Sequence, residues 1–340
     1  MFWLIETKEQ LREFVNEDFK EVFVEVIPYH NHIHPALNDV CLVYIRPTYD
    51  TKGYMLCIDH SETMSIGKTY IEKILQHTDT VYVRDKKSFL YYFQLNKIVD
   101  ISSLKNVDIT LEPVFDIFYR LHINKQDINK IIPVSKHYEV CENIYNKLQQ
   151  VILEPKPDYV KFYSKGALAF FGIEKNGIKI NKDKFYKYYE PNNESYSIYN
   201  DRIFTQYNLN TTTRRPSNAF NSINFAALKK DNHSRSSFIP SNNELIEIDI
   251  SAYHPTLAAK LVGYEFNNSD IHSEFAALYN VDYKTAKELT FKQFNGGVFK
   301  EYQHLEFFQK VAEYTANNWK LFQEQGYLNA PVSGYRFEKD

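Results

Sequence analysis

Residues 244–251, ELIEIDIS, alternate apolar side chains with acids and place Asp249 near the end of the run. Such alternation is the pattern of a β-strand. The downstream segments read as helices: HPTLAAKLVG (254–263), IHSEFAALYN (271–280), YKTAKELTFKQF (283–294) and EYQHLEFFQKVAEYTANNWKLFQEQG (301–326). A carboxylate at a strand end, facing a basic surface, is a candidate Mg2+ ligand. A turn or helix cap is the plainer role for a lone Asp there. Bridging two ions needs a second carboxylate.

The stretch just upstream supplies a basic surface. Residues 202–240 hold Arg202, Arg214, Arg215, Lys229, Lys230 and Arg235 against a single acid, Asp231. Asn208, Asn210, Asn218, Asn221 and Asn224 are interleaved. Cations track a phosphate backbone, and amides suit groove edges and sugars. A solvated loop with incidental charge is the competing reading. Downstream, in YKTAKELTFKQFNGG (283–297), Lys284, Lys287, Phe291 and Asn295 recur at steps of three and four, so they share one helix face. Two ammonium groups followed by an aromatic ring fit a nucleoside triphosphate, cations to phosphates and ring to base. An amphipathic surface helix would look the same.

The first half reads differently. VFVEVIPY (22–29), CLVYIRP (41–47) and KGYMLCID (52–59) have strand composition, with helical patterns over 65–76 and 86–93. Tyr138, Cys141, Ile144, Tyr145 and Leu148 lie on one face of a helix across 136–151. Alternating strands and helices predict an α/β domain ending near residue 150. The Asn176-Gly177 pair predicts a tight turn between a helix and a short strand, and 191–201 reads as a polar loop.

Composition narrows the function. A net charge of -3 excludes a wholly basic nucleic-acid binder, so any such surface is local. Three scattered cysteines form neither a metal motif nor a disulfide framework and suit a reducing cytoplasm. No apolar run reaches membrane-spanning length, so no membrane partner is expected. His30, His32 and His34 alternate beside the first strand; a metal site is conceivable, but Pro28 and Pro35 flank them and favour a surface loop. His60-Ser61-Glu62 lacks the context of a hydrolase site and reads as a turn or cap.

Taken in order, these pieces resemble family A (polymerase I-like) DNA polymerases, most of all divergent phage types. TTTRRPSNAFNSIN (211–224) resembles the element ahead of the catalytic strand, and IEIDISAYHPTLAAKLVG (246–263) resembles motif A. DIHSEFAALYNVDYKTAKELTFKQFNGG (270–297) resembles the fingers, and GYLNAPVSGYRF (326–337) the return to the palm. ALAFFGIEKNGIKINKDKF (167–185) resembles the helix-turn after the exonuclease domain. Five ordered matches carry far more weight than one short motif.

The resemblance implies an α/β (α+β) chain. A degenerate ribonuclease H-like 3′-5′ exonuclease-like domain would cover 1–150 and a reduced thumb or connector 151–200. The first part of the palm would cover 201–265, helical fingers 266–325, and a truncated return to the palm 326–340. It implies template-directed DNA synthesis from dNTPs on primer-template DNA in phage replication, in the host cytoplasm. Asp249 would hold two Mg2+ ions, with the Ile250 carbonyl facing a metal. His272, Lys284 and Lys287 would hold the triphosphate, and Phe291 would pack on the incoming nucleotide. His254 stands where the family has its ribose gate, a Glu. Arg214, Arg215, Asn221, Asn224 and Arg235 would line the primer-template duplex. Tyr283, Asn295 and Tyr335 depart from the family's Arg, Tyr and Arg.

The family's second palm carboxylate is not in this sequence. The resemblance therefore implies a C-terminal polymerase fragment as partner, a missing C-terminus, or a decayed relic. The exonuclease carboxylates would survive only as Glu25, Asp85 and the Tyr138–Glu142 pair, with Ile27 at the fourth position, so weak or no nuclease activity is expected. A non-catalytic module binding primer-template DNA is the alternative. A single-subunit RNA polymerase is disfavoured by Arg215-Pro216-Ser217-Asn218.

Overall fold

The computed structural model describes residues 3–17, 19–104, 127–189, 197–219, 223–228 and 233–338. The chain divides into two compact units, Met1–Leu245 and Ile246–Asp340.

The first unit is built on a six-stranded sheet. Its strands are β1 (Trp3–Ile5), β2 (Glu21–Pro28), β3 (Val40–Pro47), β4 (Tyr54–Cys57), β5 (Thr80–Val83) and β6 (Ile98–Asp100), in the order β1-β4-β3-β2-β5-β6. β2, β3 and β4 form an antiparallel meander. β5 runs parallel to β2, and β6 parallel to β5. Helices cover both faces, which is why these strands read as nearly continuous apolar runs. Val22, Val24 and Val26 face the core shared with α1 (Lys8–Asn16), α2 (Lys68–His77) and α3 (Lys86–Tyr92). Phe23, Ile27, Leu42 and Tyr44 face α4 (Val134–Leu153). On α4 the residues Cys141, Ile144, Tyr145 and Leu148 are buried, as the spacing predicts, and Tyr138 is half-buried.

Beyond α4 comes α5 (Tyr159–Asn176). It ends at Gly177, where φ is 58° and a Cβ would sit 3.0 Å from the Ile203 carbonyl oxygen. Only glycine meets both demands, and the predicted Asn-Gly turn is where the sequence places it. The chain continues into β7 (Ile178–Lys179), α6 (Lys182–Tyr188), β8 (Ser197–Tyr199) and β9 (Arg202–Phe204), with strand order β7-β9-β8. The expected polar loop over 191–201 is thus partly a strand: Ser197–Tyr199 pairs with β9, which supplies the ladder that composition alone does not reveal. Ile180, Phe185, Ile203 and Ile223 form the small core here. A two-stranded hairpin comes next, β10 (Tyr207–Asn208) with β11 (Ser217–Asn218).

The second unit contains α7 (Tyr253–Val262), α8 (Ile271–Tyr279), α9 (Tyr283–Gly296), α10 (Glu306–Gln325) and a hairpin of β12 (Tyr327–Asn329) with β13 (Arg336–Glu338). Phe275, Tyr279, Ala286, Phe307 and Phe308 form its core. One expectation is corrected: residues 244–250 form no strand. They are exposed, and no described residue pairs with them. A strand pattern becomes a strand only where a neighbour accepts its hydrogen bonds.

The sheet's packing against α4 is tight at Gly53. A Cβ there would lie 2.5 Å from both Glu142 Oε1 and the Tyr44 hydroxyl. Gly53→Ala should therefore destabilise the protein by about 1–3 kcal/mol through overpacking, read as a lower midpoint in urea. An unchanged midpoint would show that this pair yields freely.

Candidate functional site

In the second unit the candidate residues gather on α8 and α9. Asp270 caps α8, accepting from the His272 amide at 3.1 Å and the Ser273 hydroxyl at 2.8 Å. Asp282 caps α9 in the same way through Thr285. Ala286, Thr290 and Gln293 face inward, where the Tyr279 hydroxyl meets Thr290 and receives a hydrogen bond from Gln293. That network locks α9 to α8 and turns Lys284, Lys287 and Phe291 outward; Phe291 is 65% exposed. His272 is buried against this face, 5.9 Å from the Tyr283 ring. Burial first, and the Lys287 ammonium second, hold its pKa below the usual histidine value. His272 beside the outward Lys287 ammonium, with Lys284 on the same helix, is an arrangement that can receive a polyanion.

Asp249 and Ile250 lie in the exposed run, and His254 is exposed in the first turn of α7. Among the described residues, no group of three or more His, Cys, Asp or Glu side chains could hold a metal ion. Asp249 by itself therefore does not make a two-ion site.

The basic stretch is divided in role. Arg202 donates to the carbonyls of Asn176 and Gly177 and to Ser241 Oγ, sealing the end of α5. Arg214, in the left-handed region at φ 58°, lies 5.0 Å over the Tyr163 ring and donates to Asn210 Oδ1 at 2.8 Å. Arg215, Asn224 and Arg235 are exposed. Asn221, Lys229 and Lys230 lie outside the described residues.

Of the positions the resemblance assigns to nuclease chemistry, Glu25 and Glu142 sit in two separate ion pairs. Glu25 is buried on β2, and its Oε1 accepts from Arg84 at 3.1 Å. Burial raises the Glu25 pKa, and Arg84 opposes the rise. Asp85 caps α3, accepting from the amides of Lys87 and Ser88. Glu142 instead accepts from Tyr44 Oη at 2.7 Å and from Arg46 at 3.1 Å, next to Tyr138. Each glutamate thus has an arginine as its partner.

Glu25, Arg84 and Asp85 line a cavity of about 700 Å³ at the carboxyl ends of β2, β5 and β6. Two of its residues escaped the sequence reading. Asp100, at the end of the short β6, is buried and caps the next turn through Ser102. Burial, then repulsion from Asp85, raises its pKa to about 7. Lys87, on α3, is buried and pairs with Glu174. The available signal was a charge on an apolar face: Glu174 follows Val160, Ala167 and Phe171 along the buried stripe of α5.

At the level of sequence, neither a protein-family model nor a curated protein matches the chain. Among solved structures, the POL domain of Pol1 from M. smegmatis, in complex with DNA primer-template and dNTP, is similar. Its TM-score is 0.61 at 11% identity, over 99% of this chain and 82% of that one. The fold is that of a polymerase domain. Among the described residues, no helix is long and apolar enough to cross a membrane.

Asp100 yields a pH prediction. Its folded pKa, about 7, lies above the ordinary 3.8. The folded state keeps a proton that the unfolded state releases, so this contribution is complete below pH ~4 and lost as pH rises toward ~7. Asp100→Asn keeps the oxygen that accepts from Ser102 and removes the charge. It should raise stability at pH 8 by on the order of a few kcal/mol and flatten the dependence between these limits in urea titrations. A variant no more stable than the parent at pH 8 would contradict the assignment.

Proposed function

We propose that this chain is the nucleotide- and primer-template-binding part of a family A DNA polymerase of divergent phage type. Its reaction is template-directed transfer of dNTPs to a primer 3′-hydroxyl during phage replication in the host cytoplasm. The observation that carries the reading is the outward face of α9: Lys284, Lys287 and Phe291 beside the buried His272, in a chain with a polymerase-type fold. In this reading the two ammonium groups receive the triphosphate and Phe291 packs on the incoming nucleotide. His254 borders the sugar. Arg215, Asn224 and Arg235 are the outward cations and amide that meet the duplex, with Asn221 assigned to the same role. Arg214 supports Arg215 from the Tyr163 ring.

The meander followed by parallel strands, β4-β3-β2-β5-β6, supports a ribonuclease H-like origin for residues 1–150. The Glu25–Arg84 and Glu142–Arg46 pairs support loss of nuclease chemistry there. Residues 151–200 would then be the reduced thumb, 201–265 the palm start, 266–325 the fingers and 326–340 the palm return.

Mg2+ enters this proposal only with a partner. Asp249 is exposed in an unpaired run, so we assign the second metal-binding carboxylate to a separate C-terminal polymerase fragment or a further segment. Asp249 and the Ile250 carbonyl would be this chain's share of the site. The same exposed Asp249 favours one other reading, a non-catalytic primer-template-binding module or relic.

Primer extension decides between them. The chain mixed with the product of the adjoining downstream reading frame should extend a primer, and Asp249→Ala should abolish extension. The Lys284→Gln/Lys287→Gln pair should raise the KM for dNTP at least about tenfold through lost charge-assisted contacts. A mixture that extends nothing, from a chain that still binds primer-template DNA, leaves the non-catalytic module.

A further inference from the structure

Three side chains from three elements converge on the backbone that opens the β10–β11 hairpin. His34, buried in the loop after β2, donates from Nε2 to the Thr205 carbonyl at 3.1 Å. Its Nδ1 accepts from the Ala36 amide at 3.1 Å, which fixes the neutral tautomer. Lys87, in the first turn of α3, donates from Nζ to Glu174 Oε1 and to the Tyr207 carbonyl, both at 2.5 Å. Glu174, near the end of α5, accepts from the Tyr207 amide at 2.7 Å. Side chains thus hold both backbone groups of Tyr207. Its ring lies 5.2 Å from Phe170.

A buried ion pair is a poor way to gain stability. Desolvation of both charges consumes most of their attraction, and apolar replacements of similar size are often neutral or better. What an apolar pair cannot do is accept from a backbone N–H and donate to a backbone C=O of the same residue. Lys87 and Glu174 do both, and so fix the orientation in which β10 leaves the core. The hairpin's connection, residues 209–216, carries Arg214 and Arg215. Arg214 returns to the core at Tyr163 and Ser103, and Arg215 is exposed.

We propose that Lys87, Glu174 and His34 are positioning residues that set the Arg215-bearing hairpin for primer-template DNA, so that the nuclease-like fold serves as its mount. This rests on the proposed contact between the 202–240 segment and the duplex.

The test is anisotropy of a labelled primer-template across a salt series, with melting measured in parallel. Arg215→Gln should weaken binding about tenfold and lower the slope of log K against log salt by about one. Lys87→Met/Glu174→Leu should melt close to the parent yet show the same loss of affinity and slope. Adding Arg215→Gln to that pair should change nothing further, since the contact is already gone. Lys87→Met/Glu174→Gln, which keeps an acceptor for the Tyr207 amide, should recover most of the affinity. Should Lys87→Met/Glu174→Leu fail to fold, His34→Leu replaces it, and the same drop in slope decides. A folded latch variant that binds like the parent, or losses that simply add, would overturn the latch alone. A parent chain that binds no primer-template would overturn both this inference and the DNA reading beneath it.

Discussion

A carboxylate drawn out of water needs a positive partner, and the first unit supplies one from its own side chains to the buried Glu25 and Glu174 and to the half-buried Glu142. Glu25 has Arg84, Glu142 has Arg46, and Glu174 has Lys87. An unpaired buried carboxylate would cost several kcal/mol or take up a proton. Each partner comes from a different element than its acid, so each pair also fixes two elements together. Arg84 joins the end of β5 to β2, Arg46 joins β3 to α4, and Lys87 joins α3 to α5. Asp100 shows the alternative. It caps its own turn, burial and repulsion from Asp85 oppose its charge, and its pKa rises to about 7.

These pairs explain how the acids in and beside the six-stranded sheet are neutralised within the first unit. Guanidinium and ammonium groups meet the glutamates directly. The acids remain because they have been given work in the fold. In the second unit, polar contacts serve orientation as well. Asp270 and Asp282 start their helices, and Tyr279, Thr290 and Gln293 lock α8 to α9. The outward face of α9 is the consequence of what the inward face must bury.

Much of this was legible in the sequence, for local reasons. β2, β3 and β4 are covered on both faces, so their apolar runs are nearly continuous. The face of α4 follows from steps of three and four, and so do the neighbours Lys284, Lys287 and Phe291. Asn176-Gly177 marks a position where only glycine fits. What was not legible depends on distant partners. Glu25 and Arg84 lie 59 residues apart, Lys87 and Glu174 87, and Arg46 and Glu142 96. No local pattern encodes such pairs. The same reason accounts for the corrections: Ser197–Tyr199 is a strand because β9 accepts it, and 244–250 is not one because no described neighbour does.

The most direct measurement is amide hydrogen exchange at Tyr207. Its N–H is bound to a buried carboxylate rather than to another strand, so its protection reports the latch itself. Slow exchange is expected, with an opening free energy matching that of the α3 and α5 amides and falling in step with them on adding urea. Exchange as fast as in the exposed 244–250 run would contradict the latch, and the hairpin would then have no fixed mount on the first unit.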